Sequence, residues 1–227
     1  TISDRLAGYV STPMEYAEAS LLSLYSIADY CWHMATYDHQ TSWRNAMHVL
    51  LPGHEEAFAV FCDHNTDLGA NGHGMRRMEE SAALAKAVES GDDQAAIREF
   101  NRMHEAALEL MAIKDNPLVE EMRPWLEVMD RVATRGALAC NLRYCIAGGN
   151  KLAATSQFKV LMGIDNEQQK IVSRDFPGSI KSPNPQVATL VGEPYIKKTI
   201  RECEAAYRTK WGNNEGLFPE PVIEDGQ

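Results

Sequence analysis

Residues 11–32 read STPMEYAEASLLSLYSIADYCW. Thr12 is placed to cap a helix, Pro13 suits its first turn, and Glu15 stands three residues after the cap to reach back. The next twenty residues are apolar almost all round, with Tyr25, Tyr30 and Trp32 among them. The spacing predicts a helix over 13–35. A helix with so little polar surface needs cover on more than one side. The fold turns on what supplies that cover.

Working outward, the chain reads as helix after helix. TSWRNAMHVLL puts Trp43, Ala46, Met47 and Leu50 on one face. PGHEEAFAVFCDHN predicts a third helix, and the Gly- and Asn-rich NTDLGANGHG comes next as a loop. MRRMEESAALAKAVES runs to a stop at Gly91, after which Asp92 caps a helix to about Ile113. Asn116–Pro117 opens a long helix to Ile146, with a kink or restart expected at Pro124 and an end at Gly148–Gly149. Two more helices are expected, one from Lys151 and one over roughly 193–211. The expectation is an all-α bundle or array of about seven or eight helices. In domains, 1–10 is a lead-in, 11–147 the bundle, 148–211 further helices packed on it, and 212–227 a flexible tail.

Bulk properties exclude some functions. The net charge of −10 argues against a nucleic-acid partner, which would need a basic face. No run is apolar enough for a membrane span. TISDRLAGYV has no basic n-region, so no signal peptide is read there. The five cysteines (31, 62, 140, 145, 203) form an odd, widely spaced set without CxxC or zinc-knuckle spacing, and read as reduced, buried small hydrophobes.

The most tempting chemistry lies in CDHNTDLGANGHG, where Asp63, His64, Asn65, Asp67, Asn71 and His73 are all potential metal ligands. Against a calcium loop the sixth position is Leu68 rather than Gly, and the twelfth is Gly74 rather than Glu. His64 and His73 give no zinc spacing, and the glycines fit no nucleotide fingerprint. No metal or cofactor is expected, and the stretch reads as a structural or docking loop. His54-Glu55 and His104-Glu105 begin like a zinc-protease helix, but Phe58 and Leu108 stand where the second histidine belongs. The positions three before each helical histidine are Tyr30, Asn45, Leu51, Phe61 and Asn101, so a carboxylate-bridged di-metal bundle fails too. No serine sits in a nucleophile elbow. The aromatic set Tyr25, Tyr30, Trp32, Tyr37 and Trp43 reads as core or interface.

One resemblance goes further. Thr12-Pro13-Met14, Ala17-Glu18, Ser20, Ala28-Asp29-Tyr30, Trp32 and Ser42-Trp43 resemble the region after the catalytic barrel in bacterial glycoside hydrolase family 84. HNTDLGANGHGMRRMEES is similar as well, and NPLVEEMRPWLEVM and NPQVATLVGEPYIKKTIRECEAAY more loosely. The resemblance implies a post-catalytic helical domain of a β-N-acetylglucosaminidase (O-GlcNAcase or hyaluronidase type). Its partner would be its own N-terminal (β/α)₈ barrel, whose last exit segment residues 1–10 resemble. Glycosylated protein or glycan is a further expected partner, and a self-standing helical protein- or glycan-binding module is the rival reading. The family works by substrate-assisted catalysis with two adjacent barrel aspartates, an exception to the two-carboxylate template. The Asp-Asp pair of this chain, Asp92-Asp93, opens a helix after Gly91, so no catalytic residue is carried over. Asp63, His64, Asn65, Asp67, Asn71, His73, Tyr30 and Trp32 are the docking candidates. The family implies a periplasmic or secreted location, while unpaired cysteines point mildly the other way.

Overall fold

The structure, a computed structural model, describes residues 16–65, 82–172, 192–213 and 217. It contains α1 (Ala17–Trp32), α2 (His39–Leu50), α3 (Glu55–Asp63), α4 (Ala82–Ser90), α5 (Asp93–Ala112), α6 (Pro117–Ala147), α7 (Lys151–Val172) and α8 (Gly192–Trp211), with no strand among the described residues. The all-α expectation holds, and several helix ends are set by local chemistry. Asp38, Asp92 and Asn116 cap α2, α5 and α6 by accepting from the backbone N–H of Thr41, Ala95 and Val119. Gly91, at φ +66°, ends α4 in the left-handed region, where the Asp92 N–H reaches back to the Ala87 carbonyl. Asp92 thus closes one helix and opens the next.

α5 and α6 pack against each other at the centre. Ala96, Phe100, Met103, Ala107 and Leu110 of α5 are fully buried against Leu126, Met129, Ala133 and Cys140 of α6 and their neighbours. Gly136 lets the two backbones approach: a Cβ there would fall 2.5 Å from the Phe100 ring. The expected restart at Pro124 does not occur, for α6 is one helix of 31 residues through it. Pro124 forgoes a hydrogen bond to the Glu120 carbonyl, and the long buried face on both sides outweighs that loss. α2, α3 and α4 complete this first cluster around α5, and α8 adds Ile196. A second cluster joins the end of α6 (Leu142, Ile146) to α7 (Ala154, Phe158, Leu161) and α8 (Cys203, Tyr207). Leu217 is buried in it too, so the tail expected to be flexible is packed at that residue. Tyr207 bonds Thr155 through its hydroxyl at 2.7 Å, and Lys210 donates to the Ile146 carbonyl at 2.6 Å, capping α6 from α8.

α1 departs from its expected limits. It begins at Ala17, after an extended Tyr16, rather than at Pro13; residues 12 and 13 lie outside the described residues. No side chain of the Tyr16 cap serves its first turn. Instead Glu121 of α6 accepts from the Ala19 N–H at 3.0 Å, and the Tyr16 ring meets Trp125 edge-on at 5.2 Å. The cap comes from another helix, which fixes the angle of entry. Glu121→Ala is expected to cost about 1 kcal/mol, as loss of a helix N-cap does. Hydrogen exchange should show the loss in α1, with α5 and α6 unaffected; uniform loss across the bundle would contradict this anchoring role.

Only Ser20 and Leu22 of α1 are buried. Of the five cysteines read as buried, Cys62, Cys140 and Cys203 are, whereas Cys145 is only partly buried and Cys31 is exposed. It lies near the end of α1, where no neighbouring helix covers it.

Candidate functional site

The docking candidates do not form one patch. Asp63 ends α3 on the exposed side. His64, next in sequence, turns inward, and its Nε2 lies 2.9 Å from the Glu99 carboxylate of α5. Arg102 stands behind at 3.4 Å from the same oxygen and 3.2 Å from Glu56. Asn65 donates to the Phe61 carbonyl and so closes α3. His64 and Asn65 are therefore committed to the bundle in this structure, as anchors at the root of the segment beyond them. Asp67, Asn71 and His73 lie outside the described residues. Tyr30 is partly buried, edge-on to Tyr37 at 5.3 Å, whereas Trp32 is 83% exposed. Tyr25 and Trp43 pack on the first cluster, so the aromatic set divides between core and surface.

The Asp92–Asp93 pair sets two further carboxylates side by side in the sequence. The two carboxylates serve different masters. Asp92 accepts from the Ala95 N–H at 2.9 Å as a cap. Asp93, in the first turn of α5, accepts from Arg143 Nη1 and from the Tyr195 hydroxyl, both at 2.6 Å. The other guanidinium nitrogen, Nη2, reaches Thr199 and Glu202, both at 3.1 Å. Three helices, α5, α6 and α8, are thereby tied through one carboxylate and one guanidinium. Burial and the bond to Asp93 push the Tyr195 phenol well above its ordinary range, so it stays protonated as a donor. Burial works against the Arg143 charge, but the bond to Asp93 prevails and strengthens its hold on the proton. Asp93, Arg143 and Tyr195 thus form a clasp between helices.

Among the described residues, no three of His, Cys, Asp and Glu converge. The buried thiols are poor nucleophiles. Burial raises Cys62 and Cys140, and it pushes Cys203 up to about 11, far above the range in which a thiolate attacks.

One surface bond gives a pH signature. Glu55 accepts from His48 across the α2–α3 turn, and from the Gly53 N–H at 3.1 Å. The His48 bond first, then backbone N–H groups, lower the Glu55 carboxyl from 4.5 to about 2. A lowered carboxyl stabilises the fold above its ordinary pKa, and that contribution fades as pH falls from 4.5 toward 2. A carbon-detected NMR titration should place the Glu55 midpoint near the lower value in wild type and nearer the ordinary one in His48→Ala. Equal midpoints would remove His48 as the cause.

The residues that sequence reading missed are Glu99, Glu121, Arg143 and Tyr195. One signal was available: Glu99 stands in the apolar row Ala96, Glu99, Met103, Ala106, Leu110 of α5, where an acid needs a partner.

With this geometry in place, known proteins supply a comparison. The family model for NAGidase, beta-N-acetylglucosaminidase, matches residues 1–63. CpGH84D is similar in structure with a TM-score of 0.73 at 23% identity, over 85% of this chain and 34% of its own. CpGH84B matches at 0.68 and 18%, over 87% and 34%. A mutant of the Thermobaculum terrenum O-GlcNAc hydrolase matches at 0.68 and 21%, over 94% and 45%. The chain thus has the fold of an all-helical portion of these proteins, and spans about a third to just under half of their length.

Proposed function

We propose that the chain is a non-catalytic helical domain of a β-N-acetylglucosaminidase, acting beside a catalytic barrel that removes β-linked N-acetylglucosamine. The observation that carries this reading is the family-model match over residues 1–63, which runs through α1, α2 and α3, together with the partial coverage of the longer structures. The clasped state of Asp93 and the capping role of Asp92 support it, since the one Asp-Asp pair is occupied in structural work.

On this reading residues 1–10 belong to the exit from the barrel, 11–147 to the bundle and 148–211 to helices packed upon it. The domain buttresses the barrel and shapes the rim of its cleft, where a glycosylated protein would lie. The segment from Asp63 through His64, Asn65, Asp67, Asn71 and His73 is a proposed contact with the barrel, with His64 and Asn65 holding its root. No described helix is long and apolar enough to cross a membrane. We place the domain in the periplasm or outside the cell by its family resemblance.

The test is hydrolysis of a chromogenic β-N-acetylglucosaminide by the 227-residue chain and by the full-length protein. The expected result is activity in the full-length protein alone. Activity in the chain itself would overturn the non-catalytic reading, and an inactive full-length protein would overturn the enzymatic one.

A further inference from the structure

We infer that the groove between α4, α6 and α8 is a binding site for a small organic carboxylate with an apolar body. The inference does not depend on the function proposed above. The groove has a volume of about 510 Å³ and is lined by Val88, Arg143, Pro194, Tyr195, Lys198 and Glu202. Small-molecule sites run from roughly 300 to 1,000 Å³. Gly91 borders the groove, and a Cβ built there meets nothing within 4 Å, so the turn after α4 leaves the mouth clear.

The apolar body follows from the walls. Val88 packs on the first cluster, and Pro194 lies in the first turn of α8. The Tyr195 hydroxyl is committed to Asp93 at 2.6 Å, so the phenol offers the groove its ring rather than a polar group. The aliphatic stems of Arg143 and Lys198 extend the same lining. Tyr195, Lys198 and Glu202, at i, i+3 and i+7, share one face of α8, and the Arg143 guanidinium meets that face.

The charge follows from the rim. Arg143 and Lys198 both reach Glu202, at 3.1 and 3.8 Å, so the structure already seats a carboxylate between two cations. Glu202 is a loose occupant: its side chain is 50% exposed and that of Lys198 75%, and exposed pairs of this kind hold weakly. Arg143 is held by Asp93 and Thr199 as well, and with Glu202 these bonds use three of its five donors. It therefore keeps its orientation when Glu202 swings out. A ligand carboxylate then takes the vacated place on Arg143 and Lys198 as a charge-assisted pair, while its body covers Val88, Pro194 and the Tyr195 ring.

The test is a titration of the 227-residue chain with phenylpropionate, followed by amide NMR. Saturable shifts are expected at Gly91, Tyr195 and Lys198. Phenylpropionamide, which lacks the charge, should bind about tenfold more weakly. Acetate, which lacks the apolar body, should lose at least about tenfold as well. Lys198→Glu should weaken phenylpropionate binding about fivefold, and Glu202→Ala should tighten it about fivefold by removing the internal competitor. Both replaced side chains are at least half exposed, so both variants should keep the wild-type amide spectrum away from the groove. The absence of saturable shifts at the groove would overturn the inference. So would equal binding of the amide, equal binding of acetate, unchanged affinity in Lys198→Glu, or no tightening in a folded Glu202→Ala chain.

Discussion

Gly136→Val should destabilise the chain by about 3 kcal/mol, the upper end of what overpacking a tight core costs. The reason lies in the contact between α5 and α6. A Cβ at Gly136 would fall 2.5 Å from three carbons of the Phe100 ring, and Phe100 is fully buried. Gly136→Ala is the sharper test, because two effects oppose each other. Alanine gains up to about 1 kcal/mol of helix propensity over glycine. The overlap with Phe100 should exceed that gain, leaving a net loss of about 1 kcal/mol. Shortening the ring relieves the overlap, so Gly136→Ala/Phe100→Leu should be more stable than the sum of the single losses predicts. Urea unfolding of the four proteins measures the cycle. A gain in stability from Gly136→Ala alone would mean that the helices do not approach so closely.

Asp93→Ala is the second large effect, expected at about 3 kcal/mol. It removes the acceptor from the partly buried Tyr195 hydroxyl and from one side of the Arg143 guanidinium. Breaking a fully buried pair costs about 3–5 kcal/mol, and the low end applies because Arg143 is partly exposed and keeps Glu202. Asp93→Asn retains an acceptor and should lose roughly half as much. Asp92→Ala, a lost cap, should cost about 1 kcal/mol. The ordering Asp93→Ala, Asp93→Asn, Asp92→Ala separates a clasp from a catalytic pair. In the full-length protein, Asp93→Asn should lower the melting temperature while leaving kcat for a chromogenic β-N-acetylglucosaminide unchanged. A collapse of kcat in a folded Asp93→Asn protein would restore the pair to the chemistry.

These cases show where sequence reading reached and where it stopped. Caps were legible because they are local: Asp92 and Asn116 each lie three residues from the N–H they serve. The same local logic misplaced the start of α1. Its first turn is served by Glu121, 102 residues away, and nothing near Thr12 announces that. At Pro124 the local penalty was legible, whereas the buried face that carries α6 through it as one helix is tertiary. The acid at Glu99 marked itself as needing a partner, but the identity of that partner, His64, depends on how α3 and α5 meet. Tyr195 and Arg143 gave no local sign at all. They become a clasp because the packing of α8 on α6 brings them to Asp93.

α6 has an implication for how this chain can change in length. Its 31 residues form a rod of about 46 Å that serves both hydrophobic clusters, Leu118 to Cys140 the first, Leu142 and Ile146 the second. Inserting or deleting one residue within it would rotate everything downstream by about 100°, turning Leu142 and Ile146 away from Phe158 and Tyr207. Point substitutions along α6 can be absorbed by neighbours, whereas a change of register has no local remedy. Related chains should therefore vary in length at the turns around Gly53, Gly91 and Gly149, and hold the residue count between Asn116 and Gly148 fixed.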